Sequence, residues 1–238
     1  MIKTLFMTNI SKKIKNVEQT IIQAAQRAGR NADQIQLLAV SKTKPVALIK
    51  EAYLAGLRHF GENYVQESIE KIQQIKLDTD FEQAVFWYFI GPLQSNKTRP
   101  VAENFDWVQS VERLKIAQRL NDQRPDHLPK LNVCLQVNIS GEQSKSGTTL
   151  LQVIELASQV NNLPRLTLRG IMAIPEKTDD QLRLEKQFNE LHNIYLHLQQ
   201  LYPQVDTLSM GMSGDLEKAI ACGSTMVRIG TDIFGSRG

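Results

Sequence analysis

The fold of this chain is decided by the stretch Leu37-Leu38-Ala39-Val40-Ser41-Lys42-Thr43-Lys44-Pro45. Four consecutive apolar residues are typical of a strand that is buried on both faces of a parallel sheet. Proline fits the first turn of a helix, so Pro45 indicates that a helix begins directly afterwards. The turn between them contains no glycine, whereas a dinucleotide-binding unit needs the pattern Gly-x-Gly-x-x-Gly at this point. The stretch therefore predicts a parallel β/α fold that does not bind a dinucleotide.

The same alternation of strand and helix recurs along the chain. Apolar or β-rich runs predict strands at residues 37–40, 57–60, 86–90, 107–111, 133–139, 166–174, 207–210 and 226–229. Helical patterns separate them, at residues 45–55, 64–75, 95–103, 112–122, 150–160, 181–201 and 215–221. Alternation indicates parallel pairing, and eight units in 238 residues fit a closed barrel better than an open sheet. We therefore predict the α/β class, with a single (β/α)8 TIM-type barrel.

An additional helix precedes the first strand. Ile10, Ile14, Val17 and Ile21 recur at steps of three and four residues, and Gly29 follows as a stop signal. Because no linker or change of composition interrupts the chain, we expect one domain over residues 1–238. It would consist of an N-terminal helix at about residues 1–29 and a barrel at about residues 36–234. The helix would pack on the outside of the barrel or across its bottom.

Composition excludes several classes of function. Hydrophobic residues make up 42% of the chain, so a full core can form, and the net charge of only +3 gives no indication of a nucleic-acid partner. The sequence shows neither a long apolar span nor a signal peptide, so we expect a cytoplasmic protein without a membrane partner. Cys134 and Cys222 lie far apart and lack metal-binding spacing. We predict two reduced thiols and no metal site.

The carboxyl ends of barrel strands are where active sites of this fold lie. Lys42 follows the first predicted strand and continues the alternation of Leu38 and Val40, so its side chain is expected to point into the barrel. A partly desolvated lysine close to Lys44 and Arg228 should have a lowered pKa. A neutral amine is what Schiff-base chemistry with an aldehyde requires. The alternative interpretation is an ordinary solvated lysine at a strand end.

The ends of the last two predicted strands indicate an anion site. Gly211-Met212-Ser213-Gly214-Asp215 leads into a helix, and Gly230-Thr231 follows the last strand. Glycine allows the backbone to approach an anion, and the hydroxyls of Ser213 and Thr231 add donors. The loops after strands 7 and 8 often bind phosphate in this fold. The alternative is that the glycines only form tight turns and that Ser213 only caps a helix.

A ligand with an aldehyde at one end and a phosphate at the other would connect these two features, and pyridoxal 5′-phosphate (PLP) has that form. Arg228 lies one strand step before Gly230 with the same parity, so it can reach the ring. Arginine only donates hydrogen bonds, so it would keep the pyridine nitrogen unprotonated and make the ring a weak electron sink. That arrangement disfavours transaminase-type chemistry.

Five motifs carry a resemblance to a known family, over about residues 14–237. They are Ala39-Val40-Ser41-Lys42-Thr43-Lys44-Pro45, Phe60-Gly61-Glu62-Asn63-Tyr64-Val65-Gln66-Glu67, Phe89-Ile90-Gly91-Pro92-Leu93-Gln94-Ser95-Asn96-Lys97, Gly211-Met212-Ser213 and Val227-Arg228-Ile229-Gly230-Thr231. In this order they resemble the PLP homeostasis protein family.

The resemblance implies a PLP-binding barrel like the N-terminal domain of alanine racemase. It implies that Lys42 forms the Schiff base with PLP, that Asn63 lies on the cofactor side of the second strand end, and that Arg228 lies near the ring nitrogen. Ser213, Gly230 and Thr231 match the phosphate contacts. The implied function is a carrier and regulator of intracellular PLP (vitamin B6), with PLP-dependent apo-enzymes as recipients and with no assigned catalytic residue.

The sequence departs from the family pattern at two positions. Tyr88 replaces the usual histidine before Phe89, and Gly214 stands where an acidic residue is common. If the usual histidine has a role, this chain lacks it or replaces it with a phenol. Gly214 would loosen the start of the helix that follows Ser213.

A racemase of this fold needs acid/base groups on both faces of the substrate carbon, and in alanine racemase one comes from a second, β-rich domain or a partner subunit. This chain ends at Gly238, directly after the eighth unit, so we expect no efficient catalysis and a monomer. Tyrosines such as Tyr64 and Tyr88 could substitute for that group, but nothing in the sequence places them opposite Lys42. Three alternatives stay open: a PLP-dependent amino-acid racemase or lyase, an aldolase-like barrel using Lys42 on a phosphorylated sugar, and a barrel with ordinary surface lysines.

Overall fold

Eight parallel strands close into a barrel in their order along the chain. A computed structural model describes residues 8–140, 146–176 and 178–236. The strands are β1 (Gln36–Val40), β2 (His59–Glu62), β3 (Phe86–Phe89), β4 (Trp107–Val111), β5 (Leu131–Gln136), β6 (Leu166–Met172), β7 (Thr207–Ser209) and β8 (Met226–Ile229). β8 pairs with β1 and completes the closure, with Leu38 opposite Arg228. The predicted (β/α)8 barrel is confirmed.

Helices surround the strands on the outside of the barrel. Those between consecutive strands are α2 (Val46–Leu54), α3 (Val65–Leu77), α4 (Thr98–Asn104), α5 (Leu114–Gln123), α6 (Val153–Asn161), α7 (Gln181–Leu201) and α8 (Leu216–Ala221). The helix α1 (Asn9–Arg27) precedes β1, and α9 (Thr231–Phe234) follows β8. Within the described ranges, no helix has the length and apolar character needed to cross a membrane.

Alternation along the strands separates two apolar clusters. The inner cluster fills the barrel and contains Leu38, Tyr88, Ile90, Trp107, Cys134, Met172 and Met226, with Val40 packed against it. The outer cluster joins the strands to the helices and includes Leu37 and Ala39. Leu38 and Val40 therefore face inward, as the alternation in the sequence predicts.

The additional N-terminal helix lies on the outside of the barrel. Thr8 caps α1 by accepting a hydrogen bond from the Ser11 N–H. The apolar stripe that includes Ile14 and Ile21 is buried, and the helix contacts α2, α8 and α9. Residues 1–7, which the sequence assigns to the same helix, lie outside the described residues.

Some predicted boundaries were wrong. β5 ends at Gln136, three residues before the end of the strand predicted over residues 133–139. After β5, Val137 forms an isolated parallel bridge with Thr148, and a Cβ at Gly147 would lie 2.5 Å from the Asn138 nitrogen. The helix predicted over residues 95–103 begins as a 3-10 turn at residues 95–97 and continues as α4.

Candidate functional site

The predicted site residues lie along one arc of the barrel. The face formed by the carboxyl ends of the strands, here called the barrel mouth, contains the segments that follow β7, β8, β1 and β2. These strands are consecutive neighbours in the closed sheet. The arc carries Ser213 after β7, Arg228 within β8, Gly230 and Thr231 after β8, Lys42 after β1 and Asn63 after β2. Topology therefore brings to one side of the mouth residues that are up to 189 positions apart in sequence, since 231 − 42 = 189.

Lys42 lies in a tight turn directly after β1 and is partly buried. The Lys44 N–H donates to the Ser41 carbonyl at 3.0 Å and closes the turn. Thr43 has a φ of +62°, in the left-handed region that β-branched residues rarely adopt. The Lys44 ammonium donates to the Ser236 carbonyl at 2.7 Å, so this neighbouring lysine contacts the C-terminal segment. The turn therefore has a defined and unusual backbone geometry.

Arg228 is buried inside the barrel, with 4% of its surface exposed. Its Nη1 donates to the Ser209 carbonyl at 2.8 Å and to the Ser209 Oγ at 2.7 Å, and its Nη2 donates to the Ala173 carbonyl at 2.8 Å. Burial lowers the pKa of Arg228 to about 10, although the nearby Asp215 and Cys134 act to raise it. The described hydrogen bonds of this guanidinium all end on neutral oxygens.

Sequence reasoning missed two residues that hold Arg228. The Ser209 hydroxyl donates to Gln109 Oε1 at 2.8 Å, and Gln109 Nε2 donates to the Met226 sulfur at 2.9 Å. Gln109 and Ser209 are both fully buried. The useful signal was their polarity within apolar strand segments, because a buried polar side chain in a barrel needs a partner.

The loop after β7 has the open backbone that the glycines predict. Gly211 has a φ of +98°, and a Cβ there would lie 2.6 Å from the Cβ of Ala219. Asp215 Oδ1 accepts the Met212 N–H at 2.6 Å, and Asp215 is the residue at the cap position of α8. Ser213 is exposed and Asp215 takes the cap position, so the interpretation of Ser213 as only a helix cap is wrong.

The segment after β8 lies directly against β1. A Cβ at Gly230 would be 3.3 Å from the Val40 carbonyl oxygen, two residues before Lys42. Thr231 is exposed and begins α9. Because α8 has six residues and α9 only four, any anion here would be held by local N–H and hydroxyl groups rather than by a long helix dipole.

Asn63 carries a buried side-chain oxygen that is unsatisfied in the described part of the chain. Its Oδ1 has no hydrogen-bond partner among the described residues. A Cβ at Gly91 would lie 2.3 Å from the Asn63 carbonyl oxygen, so glycine is required for the close approach of the two chain segments. A buried polar group without a partner is unfavourable in a protein interior, and a ligand group can satisfy it.

These groups fit an aldehyde that also carries a phosphate. Lys42 supplies an amine, Arg228 supplies donors for a neutral acceptor such as a ring nitrogen, and the side-chain amide of Asn63 can bond a ring substituent. Ser213, Gly230 and Thr231 form an open, donor-rich edge. In the described ranges, no group of three or more His, Cys, Asp or Glu side chains could hold a metal ion, and both cysteines are buried free thiols.

A cavity of about 950 Å³ lies outside the barrel between α1, α7 and α8. Of the predicted site residues it includes only Ser213, although Asp232, next to Thr231, also lines it. Its lining includes the ion pairs Arg27–Glu217 and Lys218–Glu185. The cavity therefore does not coincide with the candidate site.

Tyr88, which departs from the family pattern, lies away from the mouth. Its hydroxyl contacts His59 Nδ1 at 3.0 Å, and His59 is the first residue of β2, at the opposite end of that strand from Asn63. Tyr88 also stacks on Trp107, the first residue of β4. The phenol therefore belongs to the bottom of the barrel and does not replace a group at the mouth.

Comparison with known proteins defines the class. The family profile of the alanine racemase N-terminal domain matches residues 14–238. The fold and the profile together place the chain among barrels of this type. Its curated relatives include the pyridoxal phosphate homeostasis proteins of Vibrio alginolyticus and Escherichia coli K12. The first is 52% identical over 97% of this chain and 99% of its own length, and the second is 53% identical over 97% and 98%.

A solved structure gives the same result. PipY of Synechococcus elongatus, in its structure with PLP bound, is 33% identical over 95% of this chain and all of that chain, with a TM-score of 0.80. The chain belongs to the pyridoxal phosphate homeostasis protein family, as the five motifs predict.

Proposed function

We propose that this protein binds PLP at the barrel mouth and acts in intracellular PLP homeostasis. The observation that carries the proposal is the pairing of β8 with β1. Leu38 lies opposite Arg228, and Gly230 lies against the backbone of Val40, so the amine-bearing turn, the buried guanidinium and the donor-rich segment are neighbours. The names of the relatives and the PLP bound in PipY support the same ligand.

Lys42 would hold the ligand covalently. Its neutral amine nitrogen attacks the aldehyde carbon, a carbon–nitrogen double bond forms, and the carbonyl oxygen leaves as water with the two amine hydrogens. An ammonium must first release a proton to solvent. The bound group supplies a conjugated ring that can stabilise negative charge at a carbon attached to the nitrogen.

Ser213, Gly230 and Thr231 would bind the phosphate through hydroxyl and N–H donors. The ends of both segments are exposed enough for a charged group to enter. Arg228 would donate to the pyridine nitrogen and leave it unprotonated, since a guanidinium has no acceptor. The side-chain amide of Asn63 would form a hydrogen bond with a substituent of the ring, either by accepting through Oδ1 or by donating through its N–H groups.

We infer a carrier rather than an enzyme. A guanidinium opposite the ring nitrogen weakens the ring as an electron sink, which disfavours chemistry on a bound amino acid. Tyr88, one of the tyrosines that could act as a second acid/base group, contacts His59 at the bottom of the barrel. The relatives are named for homeostasis and not for a reaction, which supports the same conclusion.

A protein that carries PLP would have a wider role in supplying it to other proteins. Residues 1–238 would act as one cytoplasmic, monomeric PLP-binding domain that supplies PLP-dependent apo-enzymes. Mixing the PLP-loaded protein with an apo-enzyme would give recovery of that enzyme's activity at a rate no faster than PLP release from Lys42. Sedimentation or light scattering of the loaded protein checks the monomer.

The decisive test is the visible spectrum of the purified protein with added PLP. We expect an absorption band that borohydride abolishes, with peptide mass spectrometry placing the reduced adduct on Lys42. Lys42→Ala should lose this adduct, and Lys44→Ala should keep it, because Lys44 contacts Ser236 instead. A protein that stays colourless with PLP, or an adduct found only elsewhere, would overturn the proposal.

A further inference from the structure

Two glutamates from the second motif fix the turn that carries Lys42. Ser41 donates its hydroxyl to Glu62 Oε1 at 2.6 Å, and its N–H donates to the Gly61 carbonyl at 2.9 Å. On the other side of Lys42, the Thr43 N–H donates to Glu67 Oε1 at 2.6 Å. Ser41 and Thr43, the residues before and after Lys42, therefore each donate a hydrogen bond to a glutamate side chain.

Lys71 contacts both glutamates, Glu62 on the Ser41 side of Lys42 and Glu67 on the Thr43 side. Its ammonium donates to the Ser41 carbonyl at 2.8 Å and to Glu62 Oε1 at 2.9 Å, and it pairs with Glu67 Oε1 at 2.5 Å. The ammonium therefore makes two hydrogen bonds and, with Glu67, an additional ion pair. Lys71 is 6% exposed and Glu62 is fully buried. We call Glu62, Glu67 and Lys71 the charged clamp.

The clamp explains an otherwise unfavourable backbone. Thr43 is the one non-glycine residue with positive φ in the described part of the chain. Such a conformation in a β-branched residue persists only where its surroundings hold it, and strained positions of this kind concentrate at functional sites. Here Glu67 accepts the Thr43 N–H and Lys71 fixes Glu67. The strain is thus located next to the residue that would carry the ligand.

We infer that Glu62 and Glu67, bridged by Lys71, are positioning residues that aim Lys42 at the ligand aldehyde; this rests on the proposed function of Lys42. With residues 41 and 43 fixed, the Cα–Cβ direction of Lys42 is fixed as well. Without the clamp, Thr43 relaxes to an ordinary φ and the amine moves. Displacing a reacting group by about 1 Å can cost about a hundredfold in rate.

Loss of the clamp should affect the rate at which Lys42 bonds to the aldehyde differently from the affinity of the site for the rest of the ligand. Pyridoxine 5′-phosphate has the ring and phosphate of PLP but carries an alcohol in place of the aldehyde, so its affinity reports the rest of the site. Loss of the clamp should slow the reaction of Lys42 with PLP and leave the affinity for pyridoxine 5′-phosphate nearly unchanged. A merely structural role for the clamp would weaken both to the same extent.

The test compares Glu67→Ala, Glu67→Gln and Glu70→Ala by stopped-flow absorbance with PLP. Glu70 is the control, because it lies one turn along the same helix, is exposed, and receives its described hydrogen bond from Gln66. We expect Glu67→Ala to react at least about tenfold more slowly than the parent protein. Glu67→Gln should recover part of the rate, because its amide oxygen still accepts the Thr43 N–H.

Thermal unfolding and the affinity for pyridoxine 5′-phosphate are measured on the same samples. Glu62→Gln is a second variant, in which the amide oxygen can still accept the hydrogen bond from the Ser41 hydroxyl. An unchanged rate in Glu67→Ala, or an equal loss of rate and of pyridoxine 5′-phosphate affinity, would overturn the inference. If the parent protein itself forms no adduct that borohydride can trap, the proposed function of Lys42 fails and the inference fails with it.

Discussion

Ser209 binds Arg228 through two of its own atoms, since both its carbonyl oxygen and its hydroxyl oxygen accept hydrogen bonds from the same guanidinium nitrogen. The hydroxyl then donates to Gln109, which donates to the sulfur of Met226. The donating residues are Arg228 in β8, Ser209 in β7 and Gln109 in β4. Because the Ser209 hydroxyl accepts from Arg228 and donates to Gln109, its orientation is fixed, and the guanidinium has a defined position in the barrel.

Replacing Ser209 by alanine should therefore be costly. The change removes one acceptor from a buried guanidinium and leaves Gln109 Oε1 without its described donor, which we expect to lower the unfolding free energy by about 1–3 kcal/mol. Ser110→Ala is the matched control, because Ser110 is also buried but its hydroxyl has no partner among the described residues. That variant should be neutral or stabilising. Urea denaturation without PLP compares them, and equal losses in both variants would contradict the account.

Much of the fold could be predicted from local pattern alone. Short apolar runs located all eight strands, and alternation correctly assigned Leu38 and Val40 to the inside. These inferences succeed because a strand buried on both faces has a distinctive composition. The five motifs were equally informative, since they contain Lys42, Asn63 and Arg228 together with the glycines that the observed close approaches require.

The supporting residues could not be predicted in the same way. Glu62, Ser209 and Gln109 have partners on other strands or helices, at sequence separations that no local pattern reports. The pair Glu67–Lys71 does have the four-residue spacing of a helical ion pair, which was a usable signal. The burial of Lys71, and the contacts of the pair with Ser41 and Thr43, depend on how α3 packs against the turn after β1.

Gly91→Ala should disrupt the mouth. The added Cβ would meet the Asn63 carbonyl oxygen at 2.3 Å, and neither backbone segment can move without shifting the ends of β2 and β3. We expect a loss of about 1–3 kcal/mol in unfolding free energy, together with weaker PLP binding. Gly214→Ala is the control, because nothing lies within 4 Å of its added Cβ. Chemical denaturation and PLP titration test the pair, and a fully stable Gly91→Ala protein would contradict this reading.

Tyr88→Phe should affect stability without affecting the ligand. The change removes the contact of the hydroxyl with His59 at the bottom of the barrel, at a cost of about 0.5–1.5 kcal/mol. PLP affinity should stay within about twofold of the parent value. Arg228→Lys serves as the positive control, since it changes the donors that the proposal assigns to the ring. If Tyr88→Phe instead reduced PLP binding as strongly as Arg228→Lys, the phenol would have a role at the mouth.

Acid should destabilise the protein partly through His59. Burial lowers the pKa of His59 below its ordinary value of 6.5, so the folded protein resists a proton that the unfolded chain accepts. The unfolding free energy must then fall as pH drops below the unfolded pKa, with a slope of at most about 1.4 kcal/mol per pH unit from one site. At higher pH the imidazole is neutral in both states and contributes no slope.

His59→Gln keeps a polar side chain that does not titrate, and it should flatten the pH dependence of stability on the acid side of 6.5. His192 also has a pKa lowered by burial and by Arg30, so His192→Gln should remove a separate part of the slope. The two effects should add in the double variant, because the two imidazoles share no described partner. Urea unfolding at a series of pH values measures all four proteins. A slope that is identical in the parent and in His59→Gln would show that this imidazole is protonated equally in the folded and unfolded states.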